Sequence, residues 1–174
     1  MGTDKDTQCK YSPLADDNDP IIIRICTIED LEGVIDVNEK ELPEDYPYFF
    51  YKSILDSYPE SFLVACNSEG TIIAYIMWRV EKTPSTNSLK LVNKGHLVSI
   101  AVSKNYQRRR IASTLLSNSM EKVRKYKINE FVLEVRVSNY IAINLYKKFN
   151  FFIQNIKERY YRDGENAYFM TCKI

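Results

Sequence analysis

The segment GHLVSIAVS (95–103), the link KNYQRRR and the stripe Ile111, Leu115, Leu116, Met120 and Val123 constrain this chain more than any other feature. In the first part Leu97, Ser99 and Ala101 alternate with Val98, Ile100 and Val102, the period of a strand in a sheet. In the last, apolar residues recur at steps of three and four, the period of a helix that buries one face. So short a link forces the helix to fold back over the sheet that holds the strand. An all-helical bundle and an all-strand barrel are both excluded.

The rest of the chain continues the pattern. IIIRICT (21–27) is β-branched and reads as a strand. TIEDLEGVIDVNEKEL follows as a helix, with Thr27 as N-cap, Asp30 at the third helical position and Leu31, Val34, Ile35 and Leu42 apolar. LPEDYP interrupts with two prolines. YFFYKSILDSY then forms a second short helix presenting Phe49, Phe50, Ile54 and Leu55, which Pro59 stops. SFLVACN and TIIAYIMWRVEK, joined by SEG, are expected to pair as an antiparallel hairpin. TPSTNSLKLVNK (83–94) is the longest polar connection, and such connections are mobile or used for binding. EFVLEVRV (130–137) is another strand and SNYIAINLYKKFN another helix. FFIQNIKERYY and NAYFMTCKI close the chain as a hairpin, with Asp163-Gly164 as its turn signal. The order predicts one α/β domain with a mixed sheet over residues 20–174. Residues 1–19, polar, acidic toward their end and closed by Pro20, read as a flexible tail.

Composition narrows the function. With Lys+Arg 24 against Asp+Glu 23, the formal charge is +1, so no global field recruits nucleic acid or an anionic membrane. Cys9, Cys26, Cys66 and Cys172 form no CxxC pair and the chain has one histidine, so no metal site is expected. Cys26 and Cys66 lie in apolar runs and read as small buried hydrophobes, which suits a reducing, cytoplasmic setting. The amino-terminal segment resembles no signal peptide, and no apolar stretch approaches the ~20 residues that span a bilayer.

Arg108, Arg109 and Arg110 sit where a strand-turn-helix element aims unpaired N–H groups and a helix dipole outward, a ready anion site. Cations there oppose the dipole at ~0.3–1 kcal/mol each, a penalty a bound anion would offset. From charge alone, a solvated charge run is an equal reading, and a nucleic-acid patch a thinner one.

QRRRIA (107–112) resembles the Q/R-x-x-G-x-G/A signature of the GNAT acyltransferases. LPEDYP, GHLVSIAV, LEVRVSNYIAINLY and YYRDGENAYFM, in that order and spacing, resemble the archaeal N-terminal protein acetyltransferases and the related catalytic subunit of the eukaryotic NatA complex. The resemblance implies a GNAT fold of about seven mostly antiparallel strands and four helices with a splayed central strand pair. It implies acetyl-coenzyme A as co-substrate, held along the strand by Ile100, Ala101 and Val102, at its pyrophosphate by Gln107, Arg108, Arg109, Arg110, Ile111, Ala112 and Ser113, and further along by Asn139. Tyr146 would lie near the sulfur as acid for the leaving thiolate. His96 and Glu134 would flank a water that accepts the amine proton, with Glu44 as a second candidate for that role. Leu42, Pro43, Glu44, Tyr46, Tyr160 and Tyr161 would line the entrance for a peptide. The implied partners are protein or peptide N-termini, with room for nascent chains at the ribosome and for an auxiliary subunit, and with no membrane or nucleic acid.

Read without the family, several of these residues have plainer roles. A lone histidine at a strand start is commonly structural, Tyr146 is flanked by core residues, Glu44 is an ordinary loop acid, and tyrosines at strand ends commonly pack. Acetylation of lysine, polyamines or small amines, and a non-catalytic acyl-coenzyme A module, stand as rival readings. The family's loop glycine is Arg110 here, and the loop is expected to keep φ < 0 at that position, its Cβ merely clearing the pyrophosphate.

Overall fold

A computed structural model describes residues 19–174. Most of the expected tail lies outside them; Asp19 does not, and its carboxylate accepts from the Ser68 N–H at 3.3 Å and hydroxyl at 3.0 Å. The elements run β1 (Ile22–Ile25), α1 (Leu31–Glu41), α2 (Tyr48–Ser57), β2 (Phe62–Cys66), β3 (Ile72–Pro84), β4 (Leu91–Val102), α3 (Ile111–Val123), β5 (Glu130–Arg136), α4 (Tyr140–Lys148), β6 (Phe152–Lys157) and β7 (Ala167–Lys173), in the order expected from periodicity. The strands form one seven-stranded sheet, β1-β2-β3-β4-β5-β7-β6, antiparallel at every step except β4 with β5.

Each face of the sheet carries its own core. Leu31, Val34 and Val37 of α1 and Tyr51, Ile54 and Leu55 of α2 bury against Phe62, Val64, Tyr75 and Met77. On the other face Ile111, Leu115, Leu116, Met120 and Val123 of α3, with Ile143 and Tyr146 of α4, bury against Ile76, Trp78, Leu97, Leu133 and Val135. Asp30, the N-cap of α1, accepts from the Thr27 N–H at 2.8 Å and pairs with Arg24, which ties the helix to β1, while Thr27, the cap expected from the sequence, opens a short 3-10 turn over Ile28–Asp30 instead. Among the described residues no helix is long and apolar enough to cross a membrane.

Two expectations are corrected. The polar segment 83–94 is largely strand: Thr83 pairs with Val92 and Pro84 with Leu91, leaving only 85–90 as a connection. Its tip is pinned to β5 by buried Glu130, whose carboxylate accepts from the Ser85 hydroxyl and the Thr86 N–H and faces Lys94 at 3.8 Å. Cross-strand pairing and this anchor override the polar composition. The alternation assigned to 97–102 also breaks. Met77 pairs with Ser99 and Trp78 with Leu97, so Val98 is one residue too many on β4. At that bulge Leu97 joins the α3 core, while Val98 and Ala101 pack on the α1 side.

Candidate active site

The bulge marks where β4 leaves β5. The two pair in parallel from Lys94↔Glu130 to Leu97↔Leu133 and no further, so the rest of β4 has β3 alone as a neighbour. The Ser103 N–H donates to the Ile73 carbonyl on β3 at 2.8 Å. Backbone groups of successive residues alternate sides, so those of Ile100 and Val102 point into the gap that β5 has left. The Val102 carbonyl already accepts from the Gln107 side-chain amide at 3.0 Å. The Ile100 groups and the Val102 N–H form an open strand edge, which an extended amide-bearing chain can pair with.

At the end of that edge the chain turns through 104–110 into α3. The first backbone bond of the helix runs from the Thr114 N–H to the Arg110 carbonyl at 3.0 Å, and among the described residues the N–H groups from Arg108 to Ser113 are bonded to nothing. Such a run of convergent donors at a helix N-terminus suits a diphosphate. The three arginines divide. Arg109 lies over the Tyr106 ring, 5.1 Å from its centroid, and 3.8 Å from Asp19, whereas Arg108 and Arg110 make no ion pair among the described residues. These two remain available to phosphate oxygens.

Arg110 does not keep φ < 0. Its φ is 62° and that of Arg108 is 64°, so two non-glycine residues hold the left-handed conformation. The turn needs that geometry to aim its amides, and Arg110 bears a steric cost of ~1–2 kcal/mol for it. Arg110→Gly is therefore expected to raise the thermal midpoint by about 2–4 °C, the relief of strain and of charge at the helix N-terminus outweighing the extra chain entropy of glycine. Unfolding followed by circular dichroism checks this, and an unchanged or lower midpoint would contradict the strain assigned to Arg110.

The second part of the site lies on the α1 face, beside the parting of the strands. His96 on β4 and Glu134 on β5 are in direct contact, Nε2 to Oε2 at 2.6 Å, rather than bridged. With its Nε2–H donated to the carboxylate, a neutral imidazole accepts at Nδ1 from Arg79 Nη2 at 3.3 Å; protonated, it can donate there to Glu81 Oε1 at 3.2 Å. Arg79 and Glu81, an ion pair on β3, were missed in the sequence because nothing in their own strand marks them. Lys157 on β6 donates to the other oxygen of Glu134 at 2.5 Å. Burial alone would raise the Glu134 pKa, but hydrogen bonds and charge from His96 and Lys157 outweigh it and pull the carboxyl from 4.5 down to about 2. Glu134 is thus a fixed anion at neutral pH, and the imidazole is the side-chain type of this group suited to exchange a proton there.

The entrance residues gather around Arg136, two positions further along β5. Its guanidinium donates to Glu44 at 2.6 Å and to Asp163 and Glu165 at 2.7 Å each, and stacks 4.0 Å from the Tyr161 ring centroid. One side chain therefore ties the α1–α2 loop to the β6–β7 connection. Glu44 is held in that ion pair, away from the role of a free base. The Asn38 amide donates to the Glu44 carbonyl at 2.7 Å and fixes the loop from within. Leu42 packs on the α1 core, Pro43 is exposed, and Tyr46 stacks on Phe50 at 4.9 Å. Burial raises the Tyr46 and Tyr160 hydroxyls above their ordinary pKa, with the Glu44 charge and then that of Glu134 adding at Tyr46 and the Glu134 charge adding at Tyr160.

Tyr146 sits on the opposite face, buried in the α3–α4 core with Phe151 at 6.0 Å. Burial pushes its pKa well up, so the phenol keeps its proton, the state required of a donor. Asn139 caps α4, its side chain accepting from the Ala142 N–H at 3.1 Å. Ile111 is buried in the core, while Ala112 and Ser113 are partly exposed on the first turn, with the Ser113 hydroxyl donating to the Arg110 carbonyl at 2.7 Å.

Known proteins resemble this chain in sequence and in fold. Residues 25–151 match the Acetyltransferase (GNAT) family. An N-alpha-acetyltransferase of Sulfolobus acidocaldarius is 42% identical over 157 residues, covering 87% of this chain and 92% of its own. The N-terminal acetyltransferase A complex catalytic subunit ard1 of Schizosaccharomyces pombe is 34% identical over 152 residues, covering 85% and 82%. In fold, a chain from the crystal structure of the NatC complex bound to Gag peptide and CoA superposes with a TM-score of 0.80 at 22% identity, covering 88% of this chain and 98% of that one.

Proposed function

We propose, from the premise that this chain belongs to the GNAT acetyltransferase family, that it transfers acetyl from acetyl-coenzyme A to the α-amine of protein N-termini by direct attack. The observation that carries this reading is the placement of two distinct entrances on opposite sides of one gap. The open β4 edge and the amides of 108–113 receive an extended chain ending in a diphosphate. The loop of Glu44 and Tyr46, clamped by Arg136 to the hairpin of Tyr160 and Tyr161, receives a peptide from the other side. Bound acetyl-coenzyme A would supply the activated acetyl thioester.

The chain's own groups then have defined tasks. His96 takes the proton that the amine loses as its C–N bond forms, and Tyr146 returns a proton to the sulfur as the C–S bond breaks. The open N–H on the β4 edge offers a donor to the carbonyl oxygen. An α-amine, with an ordinary pKa of about 7.7–8.0, already supplies a neutral fraction near neutrality, so a base as mild as imidazole is sufficient. A lysine ε-amine at about 10.4 would demand more. Cytoplasmic nascent chains are the substrate source this reading favours, and the complexes formed by the relatives support an auxiliary subunit.

Turnover on short peptides with free and with blocked α-amines, each carrying an internal lysine, tests the reading by mass spectrometry. Acetylation is expected at the free α-amine and absent from the blocked peptide. Equal labelling of lysine in both would overturn it.

A further inference from the structure

Lys157 belongs to no motif, yet it is the second partner of the most deeply held carboxylate in the site. It projects from edge strand β6, in register with Ala167, and its ammonium lies 4.7 Å from the Phe169 ring centroid and 5.3 Å from that of Tyr160. Its side chain is 39% exposed, against 7% for Glu134. The two rings hold the cation in place at the border of the site without burying it.

We infer that Lys157 is a positioning residue for acetyl transfer: by occupying Oε1 of Glu134 it keeps that carboxylate ionised with Oε2 on His96, so that the imidazole alone carries the amine's proton. This deepens the acetyltransferase reading and rests on it. Two cations and two anions gather about the imidazole: Arg79 and Lys157 are positive, Glu81 and Glu134 negative. With a neutral imidazole the cluster carries no net charge, so it does not trap the substrate as an ammonium, the form that cannot attack. The other titratable groups near enough to feel the Glu134 charge are the phenols Tyr46, Tyr160 and Tyr161, with Arg136 two residues on along its own strand. The phenols keep their protons at neutral pH, and Arg136 is engaged by Glu44, Asp163 and Glu165.

Without Lys157, burial of Glu134 is opposed by His96 alone, and losing one adjacent cation raises a carboxyl pKa by about 1–3 units. Glu134 then takes up a proton between about pH 5 and pH 3, and a protonated Glu134 no longer orients the Nε2–H. In Lys157→Met, kcat/KM on a free N-terminal peptide is expected to stay within about threefold of wild type at about pH 8.5 and to fall by about twofold at about pH 5 and about tenfold at about pH 4, the acid limb steepening by one ionisation. Lys157→Arg restores the wild-type profile. A second readout needs neither peptide nor coenzyme. His96 is the only histidine in the chain, so the ring ¹⁵N signals report one site, and in Lys157→Met they acquire a second, lower inflection from Glu134. A Lys157→Met profile that is merely a scaled wild type, an arginine variant that fails to restore it, or the lack of the second inflection would each overturn the inference. If wild-type protein acetylates no α-amine, the proposed function fails, while the nitrogen titration still decides the role of Lys157.

Discussion

His96→Ala is expected to lower kcat/KM for free N-terminal peptides by about 10²- to 10⁴-fold, the range that a general base contributes. The loss should fall on kcat, because the peptide entrance at Glu44, Tyr46 and Tyr161 is built by Arg136 and not by the imidazole. Stability should change little, since the variant leaves Glu134 paired with Lys157 and leaves Arg79 paired with Glu81. In the wild-type protein Glu134 does not share this role, because His96 and Lys157 together hold its carboxyl at about 2. Glu134→Gln should therefore be milder, about tenfold, as it removes orientation and not the proton acceptor. Steady-state kinetics on one peptide, with circular dichroism to confirm the fold, checks both. A decrease below about threefold in His96→Ala would remove the imidazole from the reaction.

The sequence carried the order of elements because periodicity is a local property: the α3 stripe and the strand before it are visible without knowing what they pack on. The run of unpaired amides before α3 was legible for the same reason, as a short basic link between a strand and a helix. What stayed hidden depends on register. Val98 reads as one more alternating residue, and only pairing of Met77 with Ser99 and Trp78 with Leu97 makes it the bulge at which β4 parts from β5. Lys157, Arg79 and Glu81 come from strands with no catalytic motif, and they meet His96 and Glu134 because cross-strand neighbours are chosen by the sheet. Glu44 was marked by its proline-bounded loop, but its partner Arg136 lies 92 residues away. The left-handed backbone at Arg110 ran against the residue type, which gives no local signal for a positive φ.

The largest effect on stability should come from Trp78→Ala, at the hinge of the parted strands. Trp78 is fully buried, lies opposite Leu97, donates its Nε1–H to the Ser119 hydroxyl of α3 at 2.9 Å, and meets the Phe131 ring edge-on at 5.2 Å. Phe131 in turn covers Gly95, where a Cβ would come within 2.8 Å of its ring. Tryptophan, phenylalanine and glycine thus set the spacing of β4 and β5 at the pairing of Gly95 with Phe131, two residues before the strands separate and next to His96. Truncation to alanine leaves a cavity on both sides of that step and is expected to cost ~3–5 kcal/mol. The Ser119 hydroxyl keeps its bond to the Leu116 carbonyl at 3.1 Å and is only partly orphaned. Trp78→Phe retains the ring contact, loses the N–H and should cost less than half as much. Because Trp78 is the only tryptophan, urea unfolding must be followed by circular dichroism. A cost below about 1.5 kcal/mol for alanine would mean that the strands are held at their parting by something other than this packing. At the predicted cost, kcat should also fall under conditions where the variant remains folded, since the ring that braces Phe131 also sets how closely His96 approaches Glu134.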